Sequence, residues 1–178
     1  MRRKITPEEL EAYLSKHRLW LVKDEGGERA LVLNCDLSGI DLSGRDLRGI
    51  RLRACNLRAC NLKDSDLSGG DLSGSDLRGS DLRGINLSVS NLSYSDLRGS
   101  DLSFSDLSYS NLSGINLSGS DLRYSDLSGS NLSDSNLRGS DLRGSNLSCS
   151  DLCGSDLRGS SMSGINLSEA KNLYFAKK

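Results

Sequence analysis

At 178 residues, with 23 Lys and Arg against 24 Asp and Glu, the chain has the length of one domain and a formal net charge of −1. That balance, with carboxylates interleaved among the bases, argues against direct nucleic-acid binding. Hydrophobic content of 35% and aromatic content of 4% are thin for a globule, and the wealth of Ser, Gly, Asp and Asn resembles a disordered chain. The strict leucine register described below excludes that reading, because a solvated linker needs no phase. No apolar run approaches the ~18 residues of a membrane span, so no membrane partner is expected. The start, Met1-Arg2-Arg3-Lys4-Ile5, is basic but lacks the apolar core of a signal peptide, which makes a cytoplasmic location the expectation.

Residues 1–34 are predicted as an N-terminal cap. Thr6 reads as a helix N-cap, Pro7 as the first helical residue, and Glu9 as the partner that closes a capping box. Ile5 and Leu10 flank it as a hydrophobic staple, and Leu10, Tyr13 and Leu14 extend an apolar stripe. The spacing predicts a helix over about 7–16. Leu19-Trp20-Leu21-Val22 follows as a short apolar run, Asp24-Glu25-Gly26-Gly27 as a turn, and Ala30-Leu31-Val32-Leu33 as a short strand. Trp20 is the expected main hydrophobic anchor of the cap. The alternative is that this helix binds a partner.

From Cys35 to Glu169 every fifth residue is Leu, from Leu37 to Leu167, with only Met162 interrupting. Asp or Asn usually precedes each Leu, and Ser or Arg and then Gly follow it. A period of five matches neither a helix at 3.6 nor a strand at 2. On a helix the leucines would spiral about 140° per step and bury no continuous face. The beat instead asks for a stacked coil that turns every five residues. About 27 such units make up residues 35–169, and residues 170–178 form a C-terminal tail. With the Leu as position i, the units resemble the pentapeptide repeat family, whose consensus is Ala-(Asp/Asn)-Leu-x-x. The resemblance covers about three quarters of the chain. It implies an all-β fold, a right-handed quadrilateral β-helix, with positions i and i−2 inward, the others outward, and four units per coil.

The basic residues offer a check on that number. From Arg58 onward the bases at i+1 are Arg58, Lys63, Arg78, Arg83, Arg98, Arg123, Arg138, Arg143 and Arg158. Counted in twenties they fall into two adjacent columns of a possible four: Arg58, Arg78, Arg98, Arg138 and Arg158 in one, Lys63, Arg83, Arg123 and Arg143 in the next. At ~4.8 Å per coil, nearly seven coils make a rod ~30 Å long. Asp at i−1 lies beside these ladders, as Asp76 does beside Arg78. Stability is expected from the stacked leucines and from backbone bonds between coils.

Three departures from the repeat stand out. Position i−2 is mostly Ser rather than Ala, so each buried hydroxyl must find a partner, for which a nearby backbone carbonyl is suited. Arg45 falls at i−2, where an inward guanidinium is costly. Either the first coil is distorted, or Arg45 reaches a cap carboxylate such as Glu25 or Glu28. It belongs with Arg48, Arg51, Arg53, Arg58 and Lys63 to a basic first coil, which either balances an acidic cap or contacts an anion. Aromatics replace glycine at i+2 in Tyr94, Phe104, Tyr109 and Tyr124; they mark a binding surface or simply pack on their neighbours. Near the C-terminus Leu173, Tyr174 and Phe175 slip the register, closing the coil's end or pairing two rods.

Chemistry has little to stand on. The five cysteines have no paired spacing for a disulfide framework, and no His lies near Cys149 and Cys153, so no metal or cofactor is expected. Ser without a His base is no nucleophile, and a filled rod offers no concavity. The expectation is a non-catalytic structural or protein-interaction scaffold, monomeric or an end-to-end homodimer. Its candidate surface comprises the eight ladder arginines and the four aromatics. Some members of the resembling family mimic duplex DNA, bind gyrase and protect it from quinolones. Against that role, residues 35–169 carry 18 carboxylates against 13 bases, a net of only −5. The uniformity also fits a designed repeat protein without biological function.

Overall fold

The computed structural model describes residues 2–177, the side chain of Phe175 excepted. Its core is a stack of leucines, one from each five-residue unit. Leu57 through Leu152 are all fully buried, and Ile50, Ile85 and Ile115 join them from i−2. Each coil bonds to the next through parallel bridges between residues twenty apart, such as Asp76↔Asp96 and Asp106↔Asp126. The chain is therefore a β-helical solenoid with four five-residue units per coil.

Within a unit, each position has one physical task. At i the Leu fills the interior, and its N–H donates to the next coil, as from Leu97 to the Asn116 carbonyl at 2.7 Å. At i−1 the Asp or Asn Oδ1 accepts the N–H of i+1 and closes the turn, as Asp106 does for Ser108 at 2.9 Å. Asn86 does the same for Ser88 at 3.0 Å, which explains why the two residue types interchange here. At i+2 the backbone is left-handed, with φ of 63° at Gly139, and glycine adopts that conformation without a steric cost.

The inward serines find backbone carbonyls. Ser95 Oγ donates to the Leu72 carbonyl in the coil below at 2.8 Å, and Ser125 Oγ to that of Leu122 in the preceding unit of its own coil at 2.6 Å. Some also accept: the Cys55 N–H donates to Ser75 Oγ at 3.1 Å. Ser135 Oγ is buried without a partner among the described residues.

The N-terminal end is closed as the capping signals predicted, but by a longer helix. Strand β1 (Arg3–Lys4) lies parallel to β2 (Cys35–Asp36). Helix α1 then runs Pro7–Leu21, not 7–16, so the Leu19–Leu21 run is its last turn rather than a separate element. The capping box is formed, with the Glu9 N–H on Thr6 Oγ1 at 3.2 Å and the Thr6 N–H on Glu9 Oε2 at 3.1 Å. Leu10, Leu14 and His17 are the buried face of α1. Trp20 is 37% exposed and so is not the main anchor. Its ring stacks on His17, 5.2 Å between centroids, beneath the Arg29 guanidinium at 5.5 Å. The short strand expected at Ala30–Leu33 reduces to a single bridge, Leu31↔Arg51.

At the far end the register slips by one residue. Lys171 still bridges Asp151 twenty back, whereas Lys177 bridges Asp156. A 3-10 turn, Leu173–Phe175, takes up the extra residue. Leu173 packs against the core, and Tyr174 is 92% exposed.

Candidate interaction surface

The four columns of the coil can be numbered from the units that begin the repeat, at Leu37, Leu42, Leu47 and Leu52. Columns 1 and 2 carry the arginine ladders. Six of those eight arginines are not free charges. Arg78 holds Asp76 with two donors, at 2.8 and 2.6 Å, and the same fork joins Arg83 to Asp81, Arg98 to Asp96, Arg123 to Asp121, Arg143 to Asp141 and Arg158 to Asp156. Several reach the next coil as well: Arg78 to Asp96 at 3.5 Å and Arg123 to Asp141 at 3.8 Å. The hydrogen bond from Arg78 holds the Asp76 carboxyl below the usual carboxylate range, and Arg123 does the same to Asp121. Arg58 and Arg138 follow Asn rather than Asp and make no ion pair among the described residues. The sequence-predicted ladders are thus brought together, but as a self-neutralised surface.

Columns 3 and 4 differ. From the second coil on, i+1 is Ser apart from Cys153, and no arginine occurs. The corners bounding these columns carry the aromatics. Phe104 and Tyr124 precede column 3, Val89 and Tyr109 separate it from column 4, and Tyr94 closes column 4. All five are 61–77% exposed. The fourth corner, between columns 1 and 2, holds only Gly and Ala.

These side chains sit on left-handed backbone, with φ of 56–61° from Val89 to Tyr124. Strand propensity therefore does not explain them. Phe104 stacks on Tyr124 at 5.3 Å. The Tyr124 ring covers Gly144, where an added Cβ would meet ring carbons at 2.6 and 2.7 Å. Tyr94 covers Gly114 and Tyr109 covers Gly129 in the same way. The sequence carries this signal as a Gly twenty residues after each of the three tyrosines.

At the capped end Arg45 pairs with Glu11 on α1, not with Glu25 or Glu28; Glu28 bonds Lys16 at 3.0 Å. Much of the basic first coil is likewise paired, Arg48 with Asp46 at 2.7 Å and Lys63 with Asp64 at 3.7 Å. Cys35, Cys55 and Cys60 are buried, whereas Cys149 and Cys153 are exposed. Burial pushes the Cys55 thiol up to about 11, which makes it a poor nucleophile. Among the described residues no group of three or more Cys, His, Asp or Glu could hold a metal ion, and no helix is long and apolar enough to cross a membrane.

Coils stacked in a twenty-residue register, with a leucine interior and an outward ladder of paired charges, define a β-solenoid repeat protein. The chain belongs to the pentapeptide repeat family: the Pentapeptide repeats model matches residues 35–74, 71–103, 100–139 and 135–171. No curated protein matches it. Among solved structures it is similar to HetL, a pentapeptide repeat protein involved in heterocyst differentiation regulation in Nostoc sp. PCC 7120. Identity is 22% over 93% of this chain and 94% of that one, with a TM-score of 0.47. A pentapeptide repeat protein of the Arabidopsis thaliana thylakoid lumen is 31% identical over 60% of this chain and 70% of its own, TM-score 0.49. QnrB1, a plasmid-mediated fluoroquinolone resistance protein, is 22% identical over 79% and 82%, TM-score 0.46. None of these likenesses carries an argument about function.

Proposed function

We propose that this protein is a non-catalytic protein-interaction scaffold, a right-handed, four-sided rod. The twenty-residue register supports four sides, and the family supports the hand. One observation carries the functional reading: five large apolar side chains stand exposed on strained corners and contribute little to the core. Left-handed backbone costs a non-glycine residue ~1–2 kcal/mol, so folding alone favours glycine at each of these places. Capture from an extract of the source cells tests it. A partner retained by the native rod and lost when Tyr94, Phe104, Tyr109 and Tyr124 become Ser fits a scaffold. Equal retention, or none, contradicts it.

The end of the rod supports a homodimer. Ser161 and Asn166 bridge only to the coil below, and Met162, Ile165 and Leu167 are only partly buried. A dimer seen by sedimentation and lost with Leu167→Asp is the expected result.

DNA mimicry of gyrase's substrate has one specific observation in favour: six of the eight ladder arginines are neutralised at close range, while Asp66, Asp106 and Asp126 have no ion pairs among the described residues. A supercoiling assay decides this, and gyrase left uninhibited and unprotected at micromolar protein removes it.

A further inference from the structure

Stacked Asp residues are the recurrent electrostatic problem of this rod, because each coil places i−1 directly over i−1 below. Like charges directly opposite on paired strands repel. Where Asp81 lies under Asp101, Arg83 reaches both, at 2.5 and 3.8 Å. Arg123 joins Asp121 to Asp141 at 2.5 and 3.8 Å, and Arg78 joins Asp76 to Asp96 at 2.6 and 3.5 Å. Asp46 below Asp66 has Arg48.

Asp106 and Asp126 bridge in the same register, yet i+1 in their units is Ser108 and Ser128. Among the described residues this Asp–Asp stack is the one with no cation. Among the described residues the Asp106 carboxylate accepts only the Ser108 N–H at 2.9 Å; that of Asp126 accepts the Ser128 N–H at 2.9 Å and Asn146 Nδ2 at 3.2 Å. It also lies in column 3, bounded by the Phe104–Tyr124 stack at one corner and by Val89 and Tyr109 at the other.

We propose that this face is the docking site for an arginine- or lysine-bearing extended segment of a partner protein, whose cation completes the Asp106–Asp126 stack from outside. The guanidinium takes the place that Arg123 fills between Asp121 and Asp141 one column away. The exposed rings at the two corners are available to it for cation–π attraction, which adds to the ion pair. Exposed charge pairs alone are weak, so carboxylates and rings must act together. The proposal rests on the interaction-scaffold reading and gives its partner a chemistry.

A fluorescent peptide of alternating Arg and Ser, with an alternating Glu and Ser control, tests it by anisotropy at low salt. The native rod binds the Arg peptide and not the Glu peptide. Asp106→Asn with Asp126→Asn weakens binding about tenfold, and so does Phe104→Ser with Tyr109→Ser. Ser108→Arg with Ser128→Arg pairs the two carboxylates from within and abolishes binding while keeping the melting temperature. Asp151→Asn, in column 4, changes nothing. No binding, or equal binding by all variants, overturns the site. If capture of a cellular partner then still depends on the aromatics, the scaffold reading stands without it; if that fails too, both fall.

Discussion

The two halves of the rod's circumference share one interior and differ outside. Columns 1 and 2 spend most of their charges on themselves, Arg fork on Asp at all but Arg58 and Arg138 among the ladder arginines, around a corner of Gly and Ala. Columns 3 and 4 replace Arg with Ser and carry the aromatics on their three corners. One interior thus carries a largely self-paired surface on one side and a surface of serines and exposed aromatic corners on the other. The inward leucines are alike in all four columns, and the difference between the two halves lies in the outward i+1 and i+2 residues.

The shared interior gives the largest expected effect. Leu97→Ala in column 1 and Leu107→Ala in column 3 each remove a fully buried side chain and should cost alike, about 2–5 kcal/mol by denaturant melts. A markedly milder Leu107→Ala would break the symmetry of the core. The corners come next. Val89→Gly removes a β-branched residue from φ 59° and should raise stability by ~1 kcal/mol. A loss instead would mean that Val89 packs as core and not as part of an exposed ridge. Ser135→Ala, which deletes a buried hydroxyl without a partner, should be neutral or stabilising. Ser95→Ala loses its bond to Leu72 and should cost ~1 kcal/mol.

Acid should act on the paired half. Asp76, Asp81 and Asp121 have folded-state values lowered chiefly by hydrogen bonds from their arginines. Their contribution is present above the ordinary value of 3.8 and is lost as pH falls through the lowered ones. Stability should therefore decline below about pH 4, and Arg78→Ala with Arg123→Ala should flatten that decline. At the cap His17 gives a separate step. Its Nδ1 accepts the Ala30 N–H at 3.2 Å, and burial holds its imidazole below the ordinary 6.5. A depressed histidine stabilises the fold above that value and less as pH falls beneath it, so His17→Leu should remove a step below about pH 6.5.

Much of this was legible in the sequence, since the five-residue beat implied the coil and the spacing of the arginines its four units. Thr6 and Glu9 marked the start of α1. Its true end was hidden because the stripe continues through His17, a residue that reads as polar yet is fully buried. Trp20 was misjudged for the complementary reason: size suggested an anchor, whereas the ring lies over His17 near the surface. Asp beside Arg suggested pairing, but not that the Asp or Asn oxygen at i−1 also closes its turn. The division of the circumference was present in the letters, in tyrosines followed by Gly twenty residues later. Only the left-handed corner shows why that spacing matters.

The most direct test of the two-sided rod is an NMR titration of the isotope-labelled protein with the Arg–Ser peptide. Shifts confined to column 3 and its corners, at Phe104, Asp106, Ser108, Tyr109, Tyr124, Asp126 and Ser128, are the predicted result. Shifts centred on the Asp–Arg ladders of columns 1 and 2, or spread evenly around the rod, would contradict it.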